Sequence, residues 1–164
     1  MNTDPSPDQF KALDKTHQQI HEHLDALTGL LERLDDYSDT AHCRQKAKTI
    51  EAYFSDTARN HHAEEERAVF PDLLLSDDAE LVRAVHMLKQ DHGWIEQNWL
   101  ELAPQLRAIA DGEDGTDMAE LKHNVEVFLA LCRDHILLEE TLIYPQAKAR
   151  MAAAVASRGM RLAQ

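Results

Sequence analysis

At 164 residues the chain has the length of one domain and can bury a core without staples. A net charge of −13 repels phosphate backbones and argues against nucleic acid, and no run approaches the roughly 18 apolar residues of a membrane span. Five glycines and five prolines favour long helices, and ten histidines call for an explanation.

Residues 1–5 read as a disordered lead-in. The opening MNTDPSPDQF contains no apolar stretch of the secretory type. Cys43 and Cys132 sit in neither a CxxC nor a zinc spacing. Together these features point to a cytoplasmic protein with two reduced, partly buried thiols; a disulfide between two helices is the lesser alternative.

The first helix opens at Ser6-Pro7-Asp8-Gln9, a capping box with proline at the first helical position. Its apolar seam is Phe10, Leu13, His17, Ile20, Leu24, Leu27, Leu31 and Leu34, and it ends near Asp35-Asp36-Tyr37-Ser38. A second helix is expected from about Thr40 to Phe70, stopped by Pro71, with the seam Ile50, Phe54, Thr57, His61, Glu65, Ala68. Ser76-Asp77-Asp78 starts a third, whose seam is Leu81, Val85, Leu88, His92, Ile95, Trp99, Leu102 and Leu106, with a kink expected at Pro104. After the loop Asp111–Gly115, a fourth carries Leu121, Val125, Phe128, Cys132, His135, Glu139 and Leu142 and is interrupted at Pro145. Gln146–Gln164, alanine-rich with Lys148, Arg150, Arg158 and Arg161, reads as a short fifth helix or a loosely held tail. The expected fold is all-α: one domain over 1–164, an up-down-up-down antiparallel four-helix bundle with its core over about 8–148 and an extension over 149–164.

The chain also repeats. His17-x-x-Ile20-x-x-x-Leu24 matches His92-x-x-Ile95-x-x-x-Trp99, and His61-x-x-x-Glu65 before Phe70-Pro71 matches His135-x-x-x-Glu139 before Tyr144-Pro145. Six polar residues, His17, His61, Glu65, His92, His135 and Glu139, therefore occupy seams that should be apolar. Burying such groups costs several kcal/mol unless they are paired or hold an ion. At about 1.5 Å rise per residue, antiparallel helices bring all six to one level within about a turn. Four imidazoles and two carboxylates form a mixed N/O set suited to iron, manganese or zinc, and each carboxylate has two oxygens with which to span two ions.

HHAEEERAVFP and HILLEETLIYP, with the histidines of the first and third helices, resemble the paired motifs of the hemerythrin-like HHE cation-binding family over about residues 8–148. The resemblance implies two iron ions bridged by carboxylates, with zinc or manganese as substitutes. It also implies a protein that handles dioxygen, nitric oxide or peroxide in sensing or stress protection. Oxygen-carrying members have a further histidine one turn along the third helix. Leu88 and Glu96 stand there in this chain, and Glu139 replaces an aspartate five residues on. Those departures point toward the stress-response branch. Two alternatives are a di-iron enzyme that reduces peroxide or nitric oxide or donates iron for cluster repair, and a metal-stabilised interaction module using the basic tail.

The remaining polar residues are assigned by register. His62, Glu64, Glu66 and Glu140 fall on flanks, and His21 is a flank residue or a supplementary ligand. His23, His42 and His123 read as surface residues and His86 as surface or rim. Lys89, Gln90 and Asp91 read as polar flank, with Asp91 alternatively orienting an imidazole. No glutamate stands three residues before any seam histidine, as the ferritin-like signature Glu-x-x-His would require. Gly-x-Ser-x-Gly and phosphate-binding glycine loops are absent.

Overall fold

A computed structural model describes residues 5–36 and 40–163. Residues 1–4 and the end of the first predicted helix at Tyr37-Ser38 lie outside the described residues. Pro5, expected within the lead-in, is buried. Among the described residues every regular element is helical: α1 Pro7–Asp35, α2 Thr40–Ser55, α3 Thr57–Ala68, α4 Phe70–Leu73, α5 Ala79–Ala110, α6 Met118–Leu138, a π-helical turn Glu139–Ile143, and α7 Tyr144–Leu162. No described helix is long and apolar enough to cross a membrane.

The helix starts follow the sequence chemistry. Ser6 and Gln9 form the reciprocal capping box, and the Asp78 and Asp117 carboxylates accept the first backbone N–H groups of α5 and α6. Before α6 the chain turns through Gly112 at φ +72°, a conformation that side chains resist, and a Cβ there would also meet the Arg44 guanidinium. In α1 the seam closes on Leu30, with Leu31 half-buried, because after Leu27 the inward face advances by three residues instead of four.

The second and fourth expected helices differ from expectation. The single helix expected over 40–70 breaks at Asp56, whose backbone (φ −119°, ψ −74°) leaves the helical path, and again at Val69. The first break rotates the inward face, so that Ala58 is buried where Thr57 was expected and His62 joins His61 inside. The expected stop at Pro71 thus falls two residues early, at Ala68, and Pro71 itself lies in the first turn of the four-residue α4, where its missing N–H has no helical partner to lose. The third expected helix, α5, contains exposed Pro104 within its length and ends at Ala110, just before the expected loop.

Pro145 does not end the fourth segment. The turn at Glu139–Ile143 inserts one extra residue, with the Tyr144 N–H donating to the Glu139 carbonyl. This puts Ile143 and Tyr144 on the buried face and leaves Leu142 half-buried. Pro145 then begins α7, where it is tolerated. The C-terminal stretch is thus a continuation of this arm, not a separate fifth helix. Its near half is tied down by Lys148 to Asp14 (3.0 Å) and Arg150 to Asp72 (2.8 Å), and it is exposed beyond Met151.

Two apolar clusters divide the interior. One gathers Ile20, Leu24, Phe54, Trp99, Leu102 and Phe128; the other gathers Phe10, Leu13, Phe70, Val85, Leu88, Ile143 and Tyr144. On α1 and α5 the changeover falls at His17 and His92, so the polar positions lie at the boundary between two dry cores.

Candidate metal centre

All six seam residues converge there. His17 comes from α1, His61 and Glu65 from α3, His92 from α5, His135 from α6, and Glu139 opens the π-helical turn. The imidazoles are 2–6 % exposed and both glutamates 0 %. The donor atoms form two groups, each within 4.8 Å: His17, His61, Glu65 and Glu139, and His92, His135, Glu65 and Glu139.

Both carboxylates belong to both groups, one oxygen to each. Glu65 Oε1 lies 3.0 Å from His61 Nε2 and 3.5 Å from His17 Nε2, while its Oε2 lies 3.2 Å from His92 Nε2. Glu139 Oε2 lies 2.9 Å from His17 Nε2, while its Oε1 lies 2.6 Å from His135 Nε2. The Nε2 atoms of His92 and His135 are 3.0 Å apart. That is about the separation of neighbouring ligands on one ion at bond lengths near 2.1 Å.

Carboxylates outside the cluster face the rear of the rings. Glu66 lies 2.8 Å from His92 Nδ1 and Glu140 3.3 Å from His17 Nδ1, while Asp91 stands 3.8 Å from His135 Nδ1. At His92 the Glu66 carboxylate is within hydrogen-bond reach and favours the tautomer whose Nε2 lone pair points inward, whereas the approaches to His17 and His135 Nδ1 form no hydrogen bond. Asp91, read as flank or as an orienting group, is the most distant of the three, and Glu66 and Glu140, assigned to flanks, make the closer approaches.

The donor set fits a cation. Among the described residues, the buried side-chain polar atoms without a hydrogen-bond partner are His17 Nδ1, His61 Nε2, His62 Nδ1, Glu65 Oε2, His135 Nδ1 and both Glu139 oxygens. The Glu139 oxygens are close to nitrogens yet poorly aligned for hydrogen bonding, as expected of atoms aimed at a common point between them. With protons as the only cations, burial presses the His17 pKa down, but Glu139 and Glu65 outweigh it and raise it to about 10. His92 follows the same pattern, to about 10. Burial and Glu65 push Glu139 up, yet the imidazoles of His135, His17 and His92 bring it down to about 2. Glu65 is likewise held well below the carboxylate range, burial being outweighed by His17, His61 and His92. The cluster is built around positive charge.

Two residues of the site were not singled out by sequence reasoning. Tyr144 donates a hydrogen bond to Glu65, lies 3.1 Å from His17 Nε2 and stacks on the His17 ring at 4.7 Å. Burial, with the nearby Glu65 and Glu139, raises its pKa and keeps it a phenol. Phe70, its counterpart in the repeat, stacks on His92 at 5.6 Å and carries no hydroxyl.

The second is His62, which is 8 % exposed and not on a flank. Burial, then neighbouring His92, lowers its pKa to about 3, so the ring is neutral. The signal was in the repeat: position 62 aligns with Ile136, a buried apolar site.

His21 is no part of the inner group; its side chain is 46 % exposed and meets Glu140 at 3.3 Å. His23, expected on the surface, is half-buried and stacks on Tyr53 at 3.9 Å. His86 and His123 are exposed. Cys43 and Cys132 are buried thiols, and burial raises the Cys132 pKa.

Comparison with known proteins agrees with this geometry. The model of the hemerythrin HHE cation binding domain matches residues 8–147. An uncharacterized protein of Haemophilus influenzae is 28 % identical over 126 residues, covering 77 % of this chain and 71 % of that protein. No solved structure matches the chain.

Proposed function

The chain belongs to the hemerythrin HHE cation-binding domain family, and from that premise we propose that it holds two iron ions and binds dioxygen, nitric oxide or a peroxide there, in cytoplasmic sensing or stress protection. One observation carries the reading: each buried carboxylate directs one oxygen to each imidazole pair. His17 and His61 would hold one ion and His92 and His135 the other, with Glu65 and Glu139 each offering an oxygen to both. Zinc or manganese would suit the same donors. We read the arms α1, α2–α3, α5 and α6–α7 as an up-down-up-down four-helix bundle in one domain. Contacts of α1 with α2, α2 with α5, α5 with α6 and α6 with α1 support that closed ring.

Iron in this setting supplies a redox-active Lewis acid that takes up small ligands. The chain supplies the enclosure. A cavity of about 20 Å³ touches His61, His62, His135 and Glu139 and is otherwise walled by Ile20, Phe54, Ala58, Ile95, Cys132 and Ile136. Room for one water needs roughly 10–15 Å³, so this space has the size of a diatomic or a peroxide. A wider surface pocket of about 220 Å³ shares Phe54, Ala58, His62 and Ile95 with it, which makes that side the approach from solvent.

Loading the chain with Fe²⁺ anaerobically and then admitting air or nitric oxide tests this reading. The expected result is an optical spectrum that changes with each gas at about two irons per chain. Two tightly bound irons with a spectrum indifferent to both gases and to peroxide would refute small-ligand binding while leaving the metal site intact.

A further inference from the structure

The internal repeat makes the two halves of the centre nearly equivalent, and its departures show where they differ. Position 70 or 144 is Phe beside His92 and Tyr beside His17. Position 62 or 136 is His in one half and Ile in the other, and both are buried. Ile136 shows that packing at this position is met by an apolar side chain. A histidine there costs desolvation unless its ring nitrogen has a partner.

No protein group among the described residues partners His62 Nδ1. The ring stacks on His92, 4.0 Å between centroids and 13° between planes, and meets His135 edge-on at 5.7 Å. Ligand nitrogens of His62, His92 and His135 lie within 4.8 Å of one another. Imidazole lone pairs lie in the ring plane, so ligation by His62 requires its ring to turn out of the stack on His92, a motion that the 4.8 Å spacing of the nitrogens keeps short. Resting on the two-ion reading above, we propose that His62 is a third imidazole ligand to the ion held by His92 and His135. The two ions are then unequal: this one has three imidazoles, and the ion of His17 and His61 has two, with the Tyr144 phenol beside them.

The test titrates the full-length apoprotein with Co²⁺, whose visible absorption reports coordination number, and repeats the titration with Fe²⁺ under anaerobic chelator competition. Wild type is expected to fill in two resolved steps. His62→Ala is expected to weaken one step by about 10–100-fold or more, the loss typical of disturbing a ligand's supports, and to leave the other unchanged. His62→Phe keeps a ring against His92 and separates ligation from packing: it should lose the same step. Added imidazole should restore the Ala variant and not the Phe variant, and His86→Ala, on the exposed face, should titrate as wild type. His62→Phe titrating as wild type, or His62→Ala weakening both steps equally, would overturn the assignment. Wild type binding fewer than two ions would overturn the two-ion reading along with it; two ions in wild type with unchanged His62 variants would overturn this inference alone.

Discussion

Glu139→Ala is expected to remove both ions, whereas His17→Ala should chiefly weaken one. Glu139 places Oε2 at 2.9 Å from His17 Nε2 and Oε1 at 2.6 Å from His135 Nε2, so its loss strips a donor from each group. It also deletes half of the buried negative charge that the cations neutralise. Disturbing even the supports of a ligand costs about 10–100-fold in affinity, and removal of a shared ligand should exceed that at both positions. Metal content after gel filtration, under conditions that saturate wild type, should fall from about two ions per chain to near none. His17→Ala should retain the ion of His92 and His135. Glu139→Ala retaining one ion at wild-type affinity would show that this carboxylate serves a single ion. Glu65→Ala should behave alike, because Glu65 divides its oxygens in the same way.

Removing metal is expected to cost stability, and increasingly so as pH rises. At free metal about 100-fold above the dissociation constant, each site contributes about 2.7 kcal/mol. Two sites would raise the Tm by roughly 10–20 °C, at about 2–4 °C per kcal/mol for a domain of this size. In the apoprotein, His17 and His92 titrate at about 10 when folded, above the ordinary value of 6.5. Their stabilisation is complete below about 6.5 and is lost as pH rises through about 10. Glu139, folded at about 2, contributes above its ordinary 4.5 and loses that contribution as pH falls. The apoprotein should therefore be most stable between these limits and melt lower in alkali. Metal replaces the protons on the imidazoles, so the loaded form should hold its Tm there and release metal in acid. Thermal melts with and without a chelator across this range provide the check. An apoprotein whose Tm stays flat or rises between neutral pH and about pH 10 would contradict the charge balance described for the cluster.

Much of this was legible from residue order. A histidine or glutamate on an apolar seam is conspicuous because the neighbouring seam positions show what the environment is, and the internal repeat selected His61 and Glu65 from a run of histidines and glutamates. What periodicity missed was local rotation of the backbone. The break at Asp56 turned His62 inward, and the π-helical turn carried Tyr144 onto the buried face in place of Leu142. A fixed 3.6-residue period cannot register either event. Pro145 misled for a related reason: it sits in a first turn, where the missing N–H breaks nothing. Charged flanks were hard to assign because a glutamate facing solvent and one facing the rear of an imidazole have the same spacing, as Glu66 and Glu140 show.

The central claim is that these six residues hold a pair of ions in common. Metal content and valence, measured in protein isolated from its own host, test it most directly. About two iron atoms per chain, both lost in Glu139→Ala, are expected. One ion or none in the isolated protein, with none gained on loading, would contradict it.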